Sequence, residues 1–211
     1  MTDDHIGAGL SNSFSRPSRN ITGISRLEAD LDTKRLEILH ELVPSADFIL
    51  ILRDPETTWT SRSNGLEQAA EQSGVKLFIR DIRTVGDVDG AIAQGKAAGV
   101  GAILVLGSPL LTTLKIDAQI RQTAMFYTLP MAVQLSNSVR RGNLASYGLN
   151  QDAVIDRIAD MIDRILKGRS VKEIPIEQPT KFELVINLKT ARALGVTVPQ
   201  SLLARADEII E

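Results

Sequence analysis

DFILIL, residues 47–52, is the stretch on which the fold turns. Phe48 to Leu52 form an unbroken apolar run, which reads as a strand covered on both faces. Reading onward, residues 57–72 carry a helical pattern that ends at Gly74, and VKLFIR at 75–80 is a second strand. Helix 85–98, strand GAILVL at 101–106, helix 111–127, strand PMAVQL at 130–135, a short helical turn and strand LASYG at 144–148 follow. Strands alternating with helices in this way are βαβ units, and they predict an α/β fold of three layers, a parallel sheet with helices on both faces. Reading backward from DFILIL, Asp32 or Thr33 is expected to cap a helix whose Leu36, Leu39, Leu42 and Val43 share a face, and Pro44 stops it. One compact lobe is therefore expected over residues 24–147.

Beyond residue 147 the pattern changes. Val154, Ile155, Ile158, Met161, Ile162, Ile165 and Leu166 make a wide apolar stripe along a helix that Gly168 closes. EQPTKFELVINLKTARALGVTVP, residues 177–199, then holds a strand at 182–187, where Phe182, Leu184 and Ile186 alternate with Glu183, Val185 and Asn187. A short helix closed by Gly195 follows. The strand is expected to join a second sheet, with residues 148–211 packing chiefly against residues 1–22 and the hinge side of the lobe; residues 1–25, rich in Gly, Ser and Asn, read as a loop or crossover. Left uncovered, the stripe is expected to drive self-association.

Composition narrows the function. The chain has 211 residues, 43% hydrophobic and 24% charged, an ordinary globular balance for one or two domains. Its 24 Lys and Arg against 26 Asp and Glu give no basic field, so nucleic acid is not the expected partner. With no cysteine there is no disulfide, thiolate nucleophile or Cys-ligated zinc. MTDDHIGAGL has neither the basic start nor the apolar core of a signal peptide, and the longest apolar run is too short to span a bilayer.

In an open parallel sheet ligands bind at the carboxyl ends of the strands, where loops and helix N-termini present unpaired N–H groups. Four loops qualify: Arg53-Asp54-Pro55, Asp81 to Thr84, Gly107-Ser108-Pro109-Leu110 and Leu135-Ser136-Asn137. Gly107 and Ser108 allow close backbone approach, and the helix that follows favours an anion such as a carboxylate. Asp54, Thr84 and Ser108 have an equally good reading as helix caps. His5 and His40 are read as surface residues, and without a paired-carboxylate motif neither a metal nor a catalytic site is expected. GVG at 99–101 precedes a strand instead of following one, and no phosphate loop occurs, so no cofactor is expected. NIT at 20–22 fits a glycosylation sequon, Arg140-Arg141 reads as a solvated helix end, and Trp59 as core or a lobe contact.

SRPSRNITGIS (15–25), KRLEILHELVPSA (34–46), ASYGLN (145–150), DRILKG (163–168) and PIEQPTKFELVINLKTARALGVTVPQSLLARADEIIE (175–211) resemble the substrate-binding proteins of ABC transporters of the tryptophan/tyrosine type. The resemblance covers nearly the whole chain. It implies a type I periplasmic-binding-protein fold, two α/β lobes with an amino-acid-like ligand between them, an extracytoplasmic location and a transporter permease as partner. It also implies a complete second lobe and a partial first lobe: residues 1–23 as a first-lobe remnant and crossover, 24–147 as the second lobe, and 148–211 as the return to the first. Ligand contacts implied by the resemblance fall in the loops at 53–55 and 107–110 and at Tyr147, near the return crossover. The sequence departs from relatives at two of these places: they commonly carry Asn-Pro where Asp54-Pro55 stands, and an acidic residue where Ser108 stands. A noncatalytic solute-binding role is the leading expectation, and an intracellular sensing or enzyme domain built on the same lobe is the alternative.

Overall fold

The computed structural model describes residues 13–15, 17, 20–25, 28–56 and 59–211, without the side chains of 28–29 and 59–63. The predicted alternation is present. In chain order the elements are α1 (Glu28–Leu42), β1 (Phe48–Arg53), α2 (Trp59–Gln72), β2 (Lys76–Asp81), α3 (Asp87–Ala98), β3 (Ala102–Val105), α4 (Leu114–Phe126) and β4 (Met131–Val133). They continue as α5 (Ser136–Arg140), β5 (Ala145–Leu149), α6 (Gln151–Leu166), β6 (Phe182–Asn187), α7 (Leu188–Ala193), α8 (Gln200–Arg205) and β7 (Glu208–Ile210). The strands form a 7-stranded sheet in the order β2-β1-β3-β4-β5-β6-β7. The registers of β1 with β2 and β3, of β3 with β4, of β4 with β5 and of β6 with β7 are all parallel.

Side-chain parity explains the layers. Successive strand residues point to opposite faces. Leu50 and Leu52 of β1, Ile103 and Val105 of β3 and Val185 of β6 therefore pack with Val88 and Ile92 of α3 and Ile116 and Ile120 of α4. Ile49, Ile51, Ala102 and Leu104 point the other way, onto Leu36 and Leu39 of α1 and Leu66 and Ala70 of α2. The same α1 extends its cover with Ile38 and Leu42, which join Ala145, Leu184, Ile186, Ala191 and Leu202. Residues 49–52 have no exposed surface at all. Each of these side chains contributes about 1.5–3 kcal/mol on burial, so the strand that decided the fold is also the centre of its core.

Three expectations are corrected. Strand 182–187 does not belong to a separate sheet: as β6 it lies between β5 and β7, and the N–H of Asn187 donates to the carbonyl of Leu144. The alternation in the sequence misleads because Leu184, Val185 and Ile186 are all buried, one face of β6 meeting α7 and α8 and the other joining the α3–α4 side. Two compact units result, Met1–Glu28 with Leu149–Phe182, and Ala29–Gly148 with Glu183–Glu211. Residues 183–211 thus complete the α/β unit instead of leaving it. The second correction is at α1, which begins at Glu28, so that Asp32 lies one turn inside the helix and is fully buried against Arg35 instead of capping. The third concerns caps: Gly86 and Thr113, not Thr84 and Ser108, stand at the N-caps of α3 and α4. Arg140 and Arg141 are exposed at the end of α5, as read, where the first pairs with Glu208 of β7 and the second, at 2.9 Å, with the buried carboxylate of Asp117 on α4.

Unit one contains α6 and a parallel bridge between Ile24 and Glu177, closed by Ser25 N–H to the Glu177 carbonyl and Glu177 N–H to the Gly23 carbonyl. Arg157 of α6 pairs with Glu177, whose hydrogen bond and charge hold the guanidinium above its usual range. Of the predicted stripe, Met161 is buried, whereas Ile155, Ile158, Ile162 and Leu166 are 61%, 42%, 51% and 81% exposed. No helix among the described residues is long and apolar enough to cross a membrane.

Two measurements follow from this packing. A Cβ on Gly148 would stand 2.3 Å from the Gln134 carbonyl oxygen, whereas one on Gly90 of α3 meets nothing within 4 Å. Gly148→Ala is therefore expected to cost more than about 2 kcal/mol in urea unfolding, and Gly90→Ala to gain roughly 0.5–1 kcal/mol. The second concerns acid. The Thr123 hydroxyl and the Gln119 amide, both on α4, hold the Asp89 carboxyl of α3 below its usual range. A carboxyl depressed in the folded state adds stability above its unfolded pKa and loses it as pH falls through the folded value. The stability gap between wild type and Asp89→Ala should thus be largest near neutrality and shrink below the ordinary aspartate range. A gap that stays constant from pH 7 to pH 3 would contradict this linkage.

Candidate functional site

The chain order of the strands locates the site before any side chain is considered. From β1 the chain moves outward to β2, then crosses back over β1 to β3, so the topological switch lies between β1 and β3. Loops leaving the carboxyl ends of two such strands diverge to opposite faces and open a crevice, the usual ligand position in open α/β sheets. The loops concerned are 53–56 and 106–113, two of the four read from the sequence.

These two loops are tied together across the switch. Asp54 is 6% exposed and Ser108 4%. The Ser108 hydroxyl donates to Asp54 Oδ2 at 2.8 Å, while Asp54 Oδ1 accepts the N–H of Glu56 at 3.0 Å. Ser108 Oγ in turn accepts the N–H groups of Leu110 and Leu111, at 3.0 and 3.3 Å. Neither side chain caps a helix, since α2 starts at Trp59 and α4 is N-capped at Thr113. Each organises its own loop, and their shared hydrogen bond sets the spacing of the pair. Gly107 is buried beside Ser108, Pro55 is half-buried and Pro109 is exposed.

Arg53 is turned toward the neighbouring strand. It stands opposite Asp81 in the β1–β2 register, and its Nε donates to Asp81 Oδ1 at 2.5 Å. Arg83 lies 3.6 Å from the other oxygen of the same carboxylate. The turn at Thr84, ahead of the Gly86 N-cap of α3, is tied by a residue that sequence reading passed over: Asp87 Oδ2 accepts the N–H groups of Thr84 and Arg83, at 2.7 and 3.0 Å, and these bonds hold its carboxyl below the usual range.

Further along the same edge the predicted residues spread apart. Ser136, 4% exposed, opens α5 after β4. Tyr147 is in β5, three strands from β1 and so about 14 Å away at ~4.8 Å per strand. Its ring packs against the cluster containing Ile38 and Leu42, and its carbonyl accepts Arg35 Nε at 2.6 Å. The structure therefore brings Asp54 and Ser108 into contact, holds Arg53, Pro55, Gly107 and Pro109 beside them, and keeps Ser136 and Tyr147 at the next strand ends.

A groove of about 630 Å³ open to solvent lies in the other unit, lined by Ile24, Val154, Arg157, Glu177, Pro179 and Lys181 among others. It contains none of the predicted site residues. Among the described residues no group of three or more His, Cys, Asp or Glu side chains could hold a metal ion. His5 and the Trp59 side chain lie outside the described part of the chain.

Comparison with known proteins bears on the family and the fold. A tyrosine-binding protein of Clostridioides difficile (strain R20291) is 27% identical over 199 residues, which are 92% of this chain and 55% of that protein. The chain thus spans about half the length of this curated relative. The ABC domain in complex with L-Trp from Streptococcus pneumonia superposes with a TM-score of 0.85 at 23% identity, over 98% of this chain and 69% of that one. A conserved domain protein from Vibrio cholerae gives the same TM-score and coverage at 26% identity. The fold is that of type I periplasmic binding proteins. The family described as ABC transporter substrate binding protein matches residues 1–210, and the chain belongs to it.

Proposed function

We propose that the chain serves as the solute-binding component of an ABC-type importer and takes a small amino-acid-like ligand at the ends of β1, β3 and β4. The observation that carries this reading is the Asp54–Ser108 hydrogen bond across the topological switch, a buried carboxylate held in place at the position where such sheets receive ligands. Asp54 supplies a negative charge suited to an α-ammonium group, and Ser108 fixes its orientation. The names of the relatives, one tyrosine-binding and one solved with L-Trp, make aromatic amino acids the first candidates. A transporter permease would be the partner, and an extracytoplasmic location goes with the family.

One wall of a cleft holds a small polar solute weakly. A second wall adds contacts and, on closing, excludes the water that competes for each hydrogen bond. If a two-walled relative binds at about micromolar, roughly 8 kcal/mol, then half of that leaves ~4 kcal/mol, on the order of millimolar. We expect no calorimetrically detectable binding of tryptophan or tyrosine by the 211-residue chain. Fusion to a first-lobe segment from a longer relative should restore it, and Arg53, Asp54 and Ser108 substitutions should then weaken it. Micromolar binding by the chain alone would show that its site is complete as it stands.

The bare face of α6 supports a second property. Ile155, Ile158, Ile162 and Leu166 present a contiguous apolar strip to solvent, and such strips usually find a cover. Self-association is the expected result, read as concentration-dependent mass in light scattering together with binding of an apolar dye. A strict monomer at high concentration that binds no dye would exclude it.

A further inference from the structure

Asp32 and Arg35 are both 0% exposed, an ion pair inside the apolar layer formed by α1. Taking two charges fully out of water is costly, and pairs of this kind are often no more stabilising than apolar residues of the same size. Their position points to what else the pair does. The α/β unit is entered at Ala29, at the start of α1, and left at Gly148, at the end of β5. Arg35, in the second turn of α1, reaches the second of these places. Its NH1 nitrogen meets Asp32 Oδ1 at 2.6 Å, and its Nε donates to the Tyr147 carbonyl at 2.6 Å. A Cβ built on Gly148 would lie 3.7 Å from its NH2 nitrogen and 2.3 Å from the Gln134 carbonyl oxygen, so the exit residue is wedged between the guanidinium and the end of β4.

We propose that Arg35 is a positioning residue. Oriented by Asp32, it fixes the direction in which the chain leaves β5 and thereby the placement of Tyr147 at the edge of the ligand site. The planar fork of a guanidinium suits this task, because it bonds in two fixed directions at once; a lysine ammonium is a point charge and cannot hold both in register. The functional half of the inference rests on the proposed solute-binding role. The structural half does not, and the test reads it without ligand.

The experiment compares wild type, Arg35→Met, Arg35→Lys and the double variant Asp32→Leu/Arg35→Met by urea unfolding and by amide hydrogen exchange at Gly148 and Leu149. Amides of β1 and β3 serve as an internal reference. Arg35→Met alone should unfold more readily, because it removes the cation that stands 2.6 Å from the buried Asp32 carboxylate. The double variant should recover the wild-type midpoint while exchange at Gly148 and Leu149 rises about ten-fold or more over the reference strands. Arg35→Lys should keep the midpoint nearer wild type than Arg35→Met does and still show the faster exit amides. A double variant with wild-type midpoint and unchanged exit amides would overturn the proposal, since the pair would then be a replaceable part of the core. So would a uniform rise in exchange across exit and reference amides, which would mark the pair as a contributor to global stability only.

Discussion

A parallel sheet buried on both faces leaves polar side chains one place to gather, the ends of its strands. Residues 49–52 and 102–104 have no exposed surface, so nothing polar is tolerated along their length, and the first polar positions after them are Arg53 and Asp54 on one strand and Ser108 beyond the other. The apolar run excludes water from the middle of the sheet, and its termination delivers a carboxylate and a hydroxyl to the strand ends on either side of the topological switch. The low exposure of Asp54 and Ser108 follows from the same packing, and it makes their mutual hydrogen bond stronger than it would be in water.

Much of this was legible in the sequence because it rests on local pattern. β1 (48–53) is the predicted 47–52 shifted by one residue, β6 coincides with the predicted 182–187, and α6 lies within the predicted helix. The loops at the switch were also legible, since strand ends follow from strand positions. What escaped depends on the third dimension. Period-2 alternation in β6 suggested one covered face, yet α7 and α8, which follow it in sequence, cover one side while the α3–α4 layer takes the other. Asp32 and Arg35, three residues apart on a helix, share a face with Leu36 and Leu39, and only tertiary packing turns that spacing into a buried pair instead of a solvated one. Asp87 was missed for a similar reason: from the first turn of α3 it looks back at the N–H groups of Arg83 and Thr84 in the loop before it.

Ser108 and Asp54, from the loops after β3 and β1, touch across the switch, and the pair carries one carboxylate. Its second oxygen is engaged by the Glu56 N–H, so the carboxylate is held in one orientation.

The two edges of the sheet carry a different message from its face. β7 is three residues long and its Glu208 is held by Arg140, while on β2 the guanidinium of Arg80 lies 3.7 Å over the ring of Phe78. A short strand pinned by an ion pair at one edge and a charged side chain draped over the apolar surface at the other are the means by which natural sheets refuse an added strand. The sheet is guarded where uncontrolled growth would begin, and the apolar strip of α6 is bare. A bare helix face of finite length saturates once it is covered, whereas an open strand edge regenerates itself with every addition. Crowding of this protein should accordingly favour small, countable assemblies over fibrils.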